Sequence, residues 1–363
     1  MKICFFIQWL KTGGAERNVS ILANSFVKIG HLVDIVLLGN VIEFAIDDRV
    51  KVHYISDFSG HENTMIKLCK MSNRRKCFTE YCDNNKPDVI ICLLNSVLIY
   101  IPKKISIPII SSERSNPFKE INWIKRMASF YLYRRCDGLV FQTNAIMKQF
   151  PLFLQKKGIV IYNPIFLSAK IEPISYKNRN NNIVAVGRLH YSKGYFDLID
   201  AFENVFKNHN DCVLDIYGDG ELKDKLTQYI NKKKLSDKVI LKGNYPNVFE
   251  LIKESRCYVL TSYYEGMPNS LLESMCYGIP SISFDCNFGP SEMIINNQNG
   301  ILIKNRNLGD LSKAITDFIE NEELSNYCSA NATKLFYLHS IDIISIKYLD
   351  FINKIINKRR KKE

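Results

Sequence analysis

The 363-residue sequence lacks the features that mark membrane-spanning, disulfide-bonded and zinc-binding proteins. No apolar run approaches the roughly 18 residues of a membrane-spanning helix. The apolar start, residues 1–7, is soon followed by Lys11 and is too short for a signal peptide, so we expect a buried strand there. The eleven cysteines form no Cys-x-x-Cys pair and lie mostly within apolar runs. This pattern is typical of buried thiols in a reducing cytoplasm.

Acidic residues are fewer than basic ones, 37 against 49, which gives a net charge of +12. Such a charge favours an anionic partner: a phosphorylated substrate, an anionic membrane surface or a nucleic acid. No strand carries interleaved aromatic and basic residues, so we expect no nucleic acid to bind. The sequence also has no Asp-x-Asp pair, and its six histidines show no metal-ligand spacing. We therefore predict that the protein holds no metal.

The chain is longer than the roughly 250–300 residues at which single cores stop growing, so two domains are expected. Short apolar segments alternate with longer segments of helical period. The predicted strands of the first half are Ile3–Ile7, Leu32–Leu38, Val89–Leu94, Ile107–Ser111, Gly138–Gln142 and Ile159–Tyr162. Those of the second half are Ile183–Val186, Cys212–Tyr217, Lys238–Leu241, Cys257–Leu260, Ser281–Phe284 and Gly300–Ile303. Continuous apolar strands between helices predict an α/β protein with two doubly wound, Rossmann-like domains.

A polar segment separates the two halves and sets the predicted boundaries. We predict an N-terminal domain over residues 1–165, a linker over 166–182, a C-terminal domain over 183–340 and a last helix with a basic tail over 341–363. Doubly wound domains bind ligands at the carboxyl ends of their strands. We therefore expect the active site in a cleft where two such domains face each other.

The segment 264–280 combines a glycine-containing loop with a short helix. Asn269 is the predicted N-cap and Gly278 the predicted stop, so Glu265 lies on the loop and Glu273 one turn into the helix. A carboxylate accepts hydrogen bonds from two vicinal hydroxyls, such as those of a ribose or a hexopyranose. Each acid also has a structural interpretation, as a solvated loop residue or as a favourable charge near a helix start.

A second loop, Gly187 to Gly194, follows a predicted strand and leads into a helix. It places Arg188 and Lys193 at the carboxyl end of that strand. Two cations in this position are suited to neutralise a diphosphate.

Four motifs at strand-to-helix junctions together resemble family 4 of the retaining glycosyltransferases, which has the GT-B fold. They are Gly13-Gly14-Ala15-Glu16-Arg17, Gly187-Arg188 with Lys193-Gly194, Tyr217-Gly218-Asp219-Gly220, and Glu265 with Glu273. The resemblance covers nearly the whole chain. The segment from Ser112 to Pro117 resembles a branch that builds bacterial surface polysaccharides.

The resemblance implies a role for each motif. The Gly13-Gly14 loop would approach the donor phosphates, and Arg188 and Lys193 would bind the diphosphate. Glu273 would bind the ribose hydroxyls. The donor hexose would be bound by Glu265 and by the loop residues Gly266, Met267, Pro268 and Asn269. The implied catalytic residues are Glu265, Arg188, Lys193 and Glu113.

Glu113 marks a departure from the family pattern. Many members carry a histidine after the strand that corresponds to Ile107–Ser111, whereas this chain has Glu113 and Arg114 there. Either residue would take the place of the histidine, or the two would form a structural ion pair.

The implied function is transfer of a hexose or N-acetylhexosamine from a nucleotide diphosphate sugar to a surface glycan such as O-antigen or capsule. The transfer would retain the configuration of the anomeric carbon and would need no metal cofactor. The segment Ser283 to Glu292 is similar to that of transferases using UDP-linked galactose or N-acetylgalactosamine. Two alternatives stay open at this point: a sugar-nucleotide epimerase of similar architecture and a non-catalytic sugar-binding protein.

Basic segments suggest where the enzyme works. In the family the N-terminal domain faces the acceptor and the C-terminal domain binds the nucleotide sugar, and the last helix returns to the N-terminal domain. This return would bring residues 358–362 near the predicted helix Ile121–Arg135. That helix carries Trp123, Lys125, Arg126, Arg134 and Arg135, and the stretch Lys67–Lys76 adds further charge. We predict a peripheral enzyme on the cytoplasmic face of the membrane, acting on a glycan linked to polyprenyl diphosphate. The alternative is a helix packed on its own sheet with a solvated basic face.

Overall fold

The computed structural model describes residues 1–11, 13–56, 64–114, 123–165, 167 and 169–361, without the side chains of 64–68, 123–125 and 305. The chain divides into two compact units. Unit 1 comprises Met1–Phe166 and His339–Glu363, and unit 2 comprises Leu167–Leu338. Each unit is built around one parallel β-sheet with helices in the connections.

The described part of unit 1 contains a seven-stranded sheet. Its strands are β1 (Lys2–Ile7), β2 (Leu32–Leu37), β3 (Lys51–Tyr54), β4 (Val89–Cys92), β5 (Ile109–Glu113), β6 (Gly138–Phe141) and β7 (Gly158–Val160). They pair in parallel in the order β3-β2-β1-β4-β5-β6-β7. The sequence prediction missed β3 because this edge strand is half-exposed and has no continuous apolar run. The fifth strand lies two residues later than predicted, so Glu113 is its last residue.

The helices of the first part of unit 1 lie in the connections between strands. They are α1 (Gly14–Lys28), α2 (Thr64–Asn85), α3 (Trp123–Arg134), α4 (Asn144–Lys148) and α5 (Leu152–Gln155). Helix α1 turns Val19, Leu22 and Phe26 into the sheet core. Phe26 stacks on Phe5 of β1 with ring centroids 5.9 Å apart.

Unit 2 repeats this architecture with six strands among its described residues. They are β8 (Asn182–Val186), β9 (Val213–Tyr217), β10 (Val239–Gly243), β11 (Cys257–Leu260), β12 (Ser281–Phe284) and β13 (Ile301–Ile303). All pairs are parallel, in the order β10-β9-β8-β11-β12-β13. The helices are α6 (Tyr195–Phe206), α7 (Lys223–Lys232), α8 (Val248–Ile252), α9 (Asn269–Cys276), α10 (Pro290–Met293), α11 (Leu308–Glu320) and α12 (Glu322–Ala332). The prediction of two doubly wound α/β sheets is confirmed.

Each sheet has one point where the chain reverses its direction of winding. In unit 1 it lies between β1 and β4, and in unit 2 between β8 and β11. Loops that leave the carboxyl ends of two such strands diverge, which opens a crevice for ligands. The loops that follow β8 and β11 contain the two segments singled out in the sequence, 187–194 and 261–269.

Part of the predicted linker, residues 166–182, packs against unit 2. The Arg179 side chain is buried, and its guanidinium donates to the carbonyls of Lys253 and Ser255, both at 3.1 Å, and to that of Gly278 at 2.6 Å. Burial and the neighbouring Arg256 lower the pKa of Arg179 to about 10. These three hydrogen bonds to carbonyls hold the segment to the rest of unit 2, which a polar composition alone did not reveal.

The chain ends with α13 (Phe336–His339) and α14 (Ile341–Arg360). Helix α14 packs on unit 1, where Tyr348, Phe351 and Ile352 join the core. Arg359 in its last turn donates to the Ile105 carbonyl at 2.6 Å and pairs with Asp137 at 2.9 Å. The end of α14 is therefore fixed to unit 1 by an arginine that the sequence suggested for a membrane surface.

Candidate functional site

Two loops at the carboxyl ends of β8 and β11 meet in unit 2. The Lys193 carbonyl accepts a hydrogen bond from Thr261 Oγ1 at 2.9 Å, and the Ser192 carbonyl accepts one from the Tyr263 backbone N–H at 2.8 Å. These bonds bring Lys193 beside Glu265, and Nζ lies 2.5 Å from Oε1. Residues 72 positions apart in the sequence thus form one ion pair at the crevice of the sheet.

The Lys193–Glu265 pair has further bonding capacity. Ser262 Oγ also donates to Glu265 Oε1, at 2.7 Å, so this oxygen is held from two sides. An ammonium has three donors and a carboxylate has a second oxygen. The pair can therefore offer a cation to a phosphate and an acceptor to a sugar hydroxyl.

Glycine permits the close contacts between these loops. Gly194 has φ +65°, and a Cβ there would lie 2.1 Å from the Thr261 carbonyl oxygen. Gly289 has φ +92°, and its Cβ would lie 2.4 Å from the carbonyl oxygen of Gly266, in the loop after β11. A side chain at either position would push the loops apart and strain the backbone.

Arg188 lies two residues after the end of β8, and its side chain is exposed. Within the described ranges, no carboxylate pairs with its guanidinium. The structure thus places Arg188 and Lys193 on one loop, as the sequence predicted, but only Lys193 pairs with Glu265.

The loop after Glu265 leads into α9. Met267 and Pro268 are buried, whereas Glu273 is partly exposed one turn into the helix. Asn269 is the first residue of the helix and Pro268 precedes it, so the predicted N-cap is one residue too late. Proline is the last residue before the helix and supplies no capping side chain, while the Asn269 amide lies within it.

The pKa of Tyr258, a buried residue of β11, is affected by both Glu265 and Glu273. Burial raises the pKa of Tyr258, whose hydroxyl donates to Ser270 Oγ at 2.8 Å, and the carboxylates of Glu265 and Glu273 act in the same direction as burial. Both acids therefore lie near Tyr258 in unit 2, and their joint binding of one donor stays a prediction.

In unit 1, Gly13 is the residue before α1 and Gly14 is its first residue. A Cβ on Gly13 would lie 2.2 Å from Glu16 Oε2, because the Glu16 side chain folds back over the start of the helix. Acidic side chains favour this end of a helix. An incoming phosphate would therefore meet the Glu16 carboxylate at the Gly13-Gly14 loop unless that side chain rotates.

Glu113 ends β5 and is 8% exposed. Its carboxylate accepts from the Tyr133 hydroxyl at 2.7 Å and from the Arg114 backbone N–H at 3.1 Å. Burial and this carboxylate raise the pKa of Tyr133. The Arg114 guanidinium donates to Asn163, so the structure gives Glu113 and Arg114 separate side-chain partners, and the role of Glu113 stays a prediction.

Sequence reasoning missed the buried polar cluster around Arg114. Asn163 Oδ1 accepts from the Arg114 guanidinium and, at 3.2 Å, from Asn18 of α1. Tyr348 of α14 lies beside Arg114, and burial lowers the pKa of Arg114. These residues come from four distant parts of the chain, and no local pattern connects them.

The basic segments predicted to face an anionic surface are only partly exposed. Arg135 donates to the carbonyls of Ile101 and Pro102 at 2.9 and 2.7 Å, and Arg359 is fixed as described above. Arg74, in the stretch Lys67–Lys76, is fully buried. Exposed basic side chains in these segments include those of Lys76, Arg126, Arg134, Lys358, Arg360 and Lys361. Lys362 lies outside the described residues. The side chains of Trp123 and Lys125 lie outside the described residues.

The described residues contain neither a cluster of metal ligands nor a helix that could span a membrane. Nowhere in the described chain do three or more histidine, cysteine, aspartate or glutamate side chains gather as a metal site would require. None of the described helices is both long and apolar enough to cross a bilayer. Independence from metals stays a prediction.

A family model described as glycosyl transferases group 1 matches residues 169–335. The chain is 32% identical over 250 residues to an uncharacterized glycosyltransferase of Methanocaldococcus jannaschii, which covers 63% of this chain and 60% of that protein. It is 27% identical to a Campylobacter jejuni enzyme over 98% of this chain and 99% of the relative. That relative is named GalNAc-α-(1→4)-GalNAc-α-(1→3)-diNAcBac-PP-undecaprenol α-1,4-N-acetyl-D-galactosaminyltransferase.

Solved structures share the fold of the whole chain. The lipopolysaccharide outer core galactosyltransferase WaaB aligns with TM-score 0.76 at 21% identity, over 98% of this chain and 99% of WaaB. HepE of Anabaena, solved in complex with UDP-glucose, aligns with TM-score 0.78 at 17% identity, over 98% of this chain and all of HepE. These structures show that the chain has the GT-B fold, and the family model shows similarity to the glycosyl transferases group 1 over residues 169–335, a little less than half of the chain.

Proposed function

We propose that this glycosyltransferase moves a hexose or N-acetylhexosamine from a UDP-sugar to a growing, lipid-linked surface glycan. The observation that carries the proposal is the Lys193–Glu265 pair at the crevice of unit 2. It sets a cation for phosphate beside an acceptor for sugar hydroxyls, as a nucleotide diphosphate sugar requires.

In the proposed donor complex, Arg188 and Lys193 bind the diphosphate. Glu265 binds the hexose with the loop from Gly266 to Asn269, and Glu273 binds the ribose. The exposed Arg188 side chain and the amino end of α9 support this arrangement, since both favour anions.

The proposed reaction breaks the bond between the anomeric carbon and the diphosphate oxygen and forms a bond to the acceptor hydroxyl on the same face. Negative charge grows on the leaving diphosphate, which takes up the proton of the acceptor hydroxyl. Arg188 and Lys193 stabilise that charge, so the protein supplies what a metal ion supplies in other transferases. For unit 1, we propose that the Gly13-Gly14 loop binds phosphate with its backbone amides and that Glu113 takes the role of the family histidine.

The choice of UDP rests on relatives. HepE was solved with UDP-glucose, and the matched Campylobacter enzyme is named for transfer of N-acetylgalactosamine. A Salmonella typhimurium relative, 26% identical over 83% of this chain, is named lipopolysaccharide 1,6-galactosyltransferase. The segment from Ser283 to Glu292, which is similar to that of transferases using UDP-linked galactose or N-acetylgalactosamine, supports the choice of the same donor sugars.

The proposed acceptor is a glycan on a polyprenyl diphosphate, reached by an enzyme that docks peripherally on the cytoplasmic face. The name of the Campylobacter relative includes such an undecaprenol acceptor. Exposed Arg126 and Arg134 on α3, with Lys358, Arg360 and Lys361 at the chain end, provide the positive charge. Basic residues near an anionic surface contribute about 1 kcal/mol each.

A panel of UDP- and GDP-sugars, scored for enzyme-dependent release of the nucleoside diphosphate, tests the proposal. We expect hydrolysis of UDP-galactose or UDP-N-acetylgalactosamine, and faster release when a glycoside acceptor is added. Conversion of the UDP-sugar to its epimer without release would indicate an epimerase. Binding without either reaction would indicate a sugar-binding protein.

A further inference from the structure

His190 lies in the loop between β8 and α6, three residues before Lys193, and none of the roles above uses it. Its Nδ1 accepts a hydrogen bond from the Ser192 backbone N–H at 3.0 Å, and the Ser192 hydroxyl lies 2.8 Å from the same nitrogen. His190 therefore caps the single turn of 3₁₀ helix, Tyr191–Lys193, that follows it. An imidazole supplies the acceptor that a serine or asparagine side chain commonly supplies at such a position.

The capped turn sets the position of Lys193. The Lys193 backbone N–H donates to the His190 carbonyl at 3.0 Å. The carbonyls of Ser192 and Lys193 accept the two hydrogen bonds from the loop after β11 described above, and Lys193 Nζ lies 2.5 Å from Glu265. The cap therefore holds the backbone from which the Lys193 side chain reaches Glu265.

The cap requires one protonation state of the His190 ring. A backbone N–H only donates, so Nδ1 must accept and carries no proton. The neutral ring then carries its proton on Nε2, which lies 3.4 Å from Glu221 Oε1. Both nitrogens of a protonated imidazole are donors. Protonation of His190 would therefore set one N–H against another and remove the cap.

The segments that are hydrogen-bonded to this loop carry other titratable side chains. They are Tyr217, Asp219 and Glu221 at and after the end of β9, Tyr263 and Glu265 after β11, and Tyr195 and Asp197 of α6, while Arg188, Tyr191 and Lys193 lie on the loop itself. Among these types of side chain and histidine, only histidine ordinarily changes its charge between about pH 8 and pH 5. A change of the loop within this range is therefore expected from His190.

We propose that His190 is a positioning residue of the donor site: its neutral form caps the turn that carries Lys193, and its protonation releases this turn and weakens binding of the nucleotide diphosphate sugar. The inference rests on the proposed function, in which Lys193 binds the diphosphate. A cationic imidazole that contacted the diphosphate would strengthen binding at low pH instead. The direction of the pH effect thus separates a cap from a phosphate contact.

The test compares wild type with His190→Asn, His190→Ala and the control His209→Asn. Asparagine is a preferred N-cap whose side-chain oxygen accepts from a backbone N–H, and it does not titrate. His209 is another histidine of unit 2 beside a glutamate, with Nε2 3.2 Å from Glu320 Oε1, and it lies outside this loop. The probes are UDP-galactose and UDP-N-acetylgalactosamine, titrated by calorimetry at pH 7.5 and pH 5.5. Both are diphosphate diesters, so their charge is the same at the two values of pH.

At pH 7.5, His190→Asn should bind like wild type, whereas His190→Ala should bind about two- to tenfold more weakly, as the loss of one capping bond predicts. From pH 7.5 to pH 5.5 the Kd of wild type and of His209→Asn should rise by a similar factor, and that of His190→Asn should rise less. The ratio of the Kd values of wild type and His190→Asn at each pH removes the effect of groups that titrate in both, such as His339. A ratio that does not change with pH overturns the proposal. Tighter wild-type binding at pH 5.5 also overturns it, because His190 would then act on the phosphate as a cation.

Nitrogen NMR of protein labelled at its histidines provides a readout that needs no donor. The His190 signals, assigned by their absence in His190→Asn, should show a bare Nδ1 and a protonated Nε2 at pH 7.5. The opposite tautomer would overturn the cap. Failure of the wild-type protein to bind any nucleotide sugar counts against the proposed function and against the effect on the donor, whereas the NMR result still decides whether His190 caps the turn.

Discussion

At the scale of single residues, the Lys193–Glu265 ion pair of unit 2 leads to the most direct predictions about the proposed reaction. Lys193 and Glu265 share one ion pair, and Ser262 donates to the same carboxylate oxygen. Removing either charge leaves the other partly buried without its partner. Substitutions at these two positions should therefore be strongly non-additive, and a double variant should lose less than the sum of the single losses.

Glu265→Gln should lower kcat far more than it weakens UDP binding, because the proposed contact is to the transferred sugar. Glu273→Ala should weaken UDP binding instead, because its proposed contact is to the ribose. Steady-state kinetics with calorimetry of UDP measure both effects. Glu250→Ala, which removes an exposed acid paired with Lys253, is the matched control. Wild-type turnover and UDP affinity in both site variants would refute these assignments.

Arg188→Ala and Lys193→Ala should each lower the transfer rate on the order of 10²–10³-fold, as the loss of one charge-stabilising donor does. Single-turnover rates at saturating donor give the measurement. Lys225→Ala, an exposed lysine of α7, controls for loss of positive charge. A loss confined to KM would mean that these cations bind the ground state and transition state equally.

Chelation should do little to turnover. The reason is that Arg188 and Lys193 stabilise the leaving diphosphate in the proposed reaction, and no Asp-x-Asp pair occurs in the sequence. Rates with EDTA, compared with rates in added Mg²⁺ or Mn²⁺, provide the measurement. Complete loss of activity in EDTA, restored by either metal, contradicts the metal-free mechanism.

At the scale of elements, the buried His339, the last residue of α13, connects the segment before α14 to unit 1. His339 Nδ1 donates to the Asn163 carbonyl at 3.0 Å. Burial lowers the pKa of His339 to about 4, against 6.5 for the free side chain. The native state holds the ring neutral, so between these pKa values the unfolded chain binds more protons than the folded chain.

The stability of unit 1 should therefore fall as pH drops from about 6.5 towards 4, by about 3 kcal/mol from this residue alone. Urea unfolding at pH 7.5 and pH 4.5 measures the change. His339→Gln keeps a donor for the Asn163 carbonyl but does not titrate, so its stability should depend less on pH. An identical pH dependence in wild type and variant would show that His339 is not the titrating group.

At the scale of the whole molecule, the net charge of +12 and the exposed basic residues of unit 1 predict binding to anionic vesicles at low salt. Flotation with vesicles that contain anionic lipid should recover the protein, and high salt should release it. The double variant Arg126→Gln with Arg134→Gln should bind less than Lys225→Gln with Lys232→Gln, which removes the same charge from unit 2. Equal recovery with neutral vesicles would rule out electrostatic docking and leave the transferase assignment intact.

The sequence by itself determined the fold class, and it indicated the segments that form the candidate donor site. Buried strands of a parallel sheet are continuous apolar runs, so their pattern is local and easily read, as for β1 and β11. Glycine loops at strand ends are local as well, and they identified the segments of Lys193 and Glu265. The edge strand β3 was missed because it is only half-buried and its pattern is weak.

Only the tertiary structure decided which charges stay exposed and which are used inside. Arg135 and Arg359 look like their exposed neighbours in the sequence, yet carbonyls from distant loops bind both guanidinium groups. Likewise, the Glu113 carboxylate accepts a hydrogen bond from the Tyr133 hydroxyl, 20 residues further along the chain. An arginine is directed by the hydrogen-bond acceptors around it, and packing brings those acceptors together from parts of the chain that local sequence does not connect.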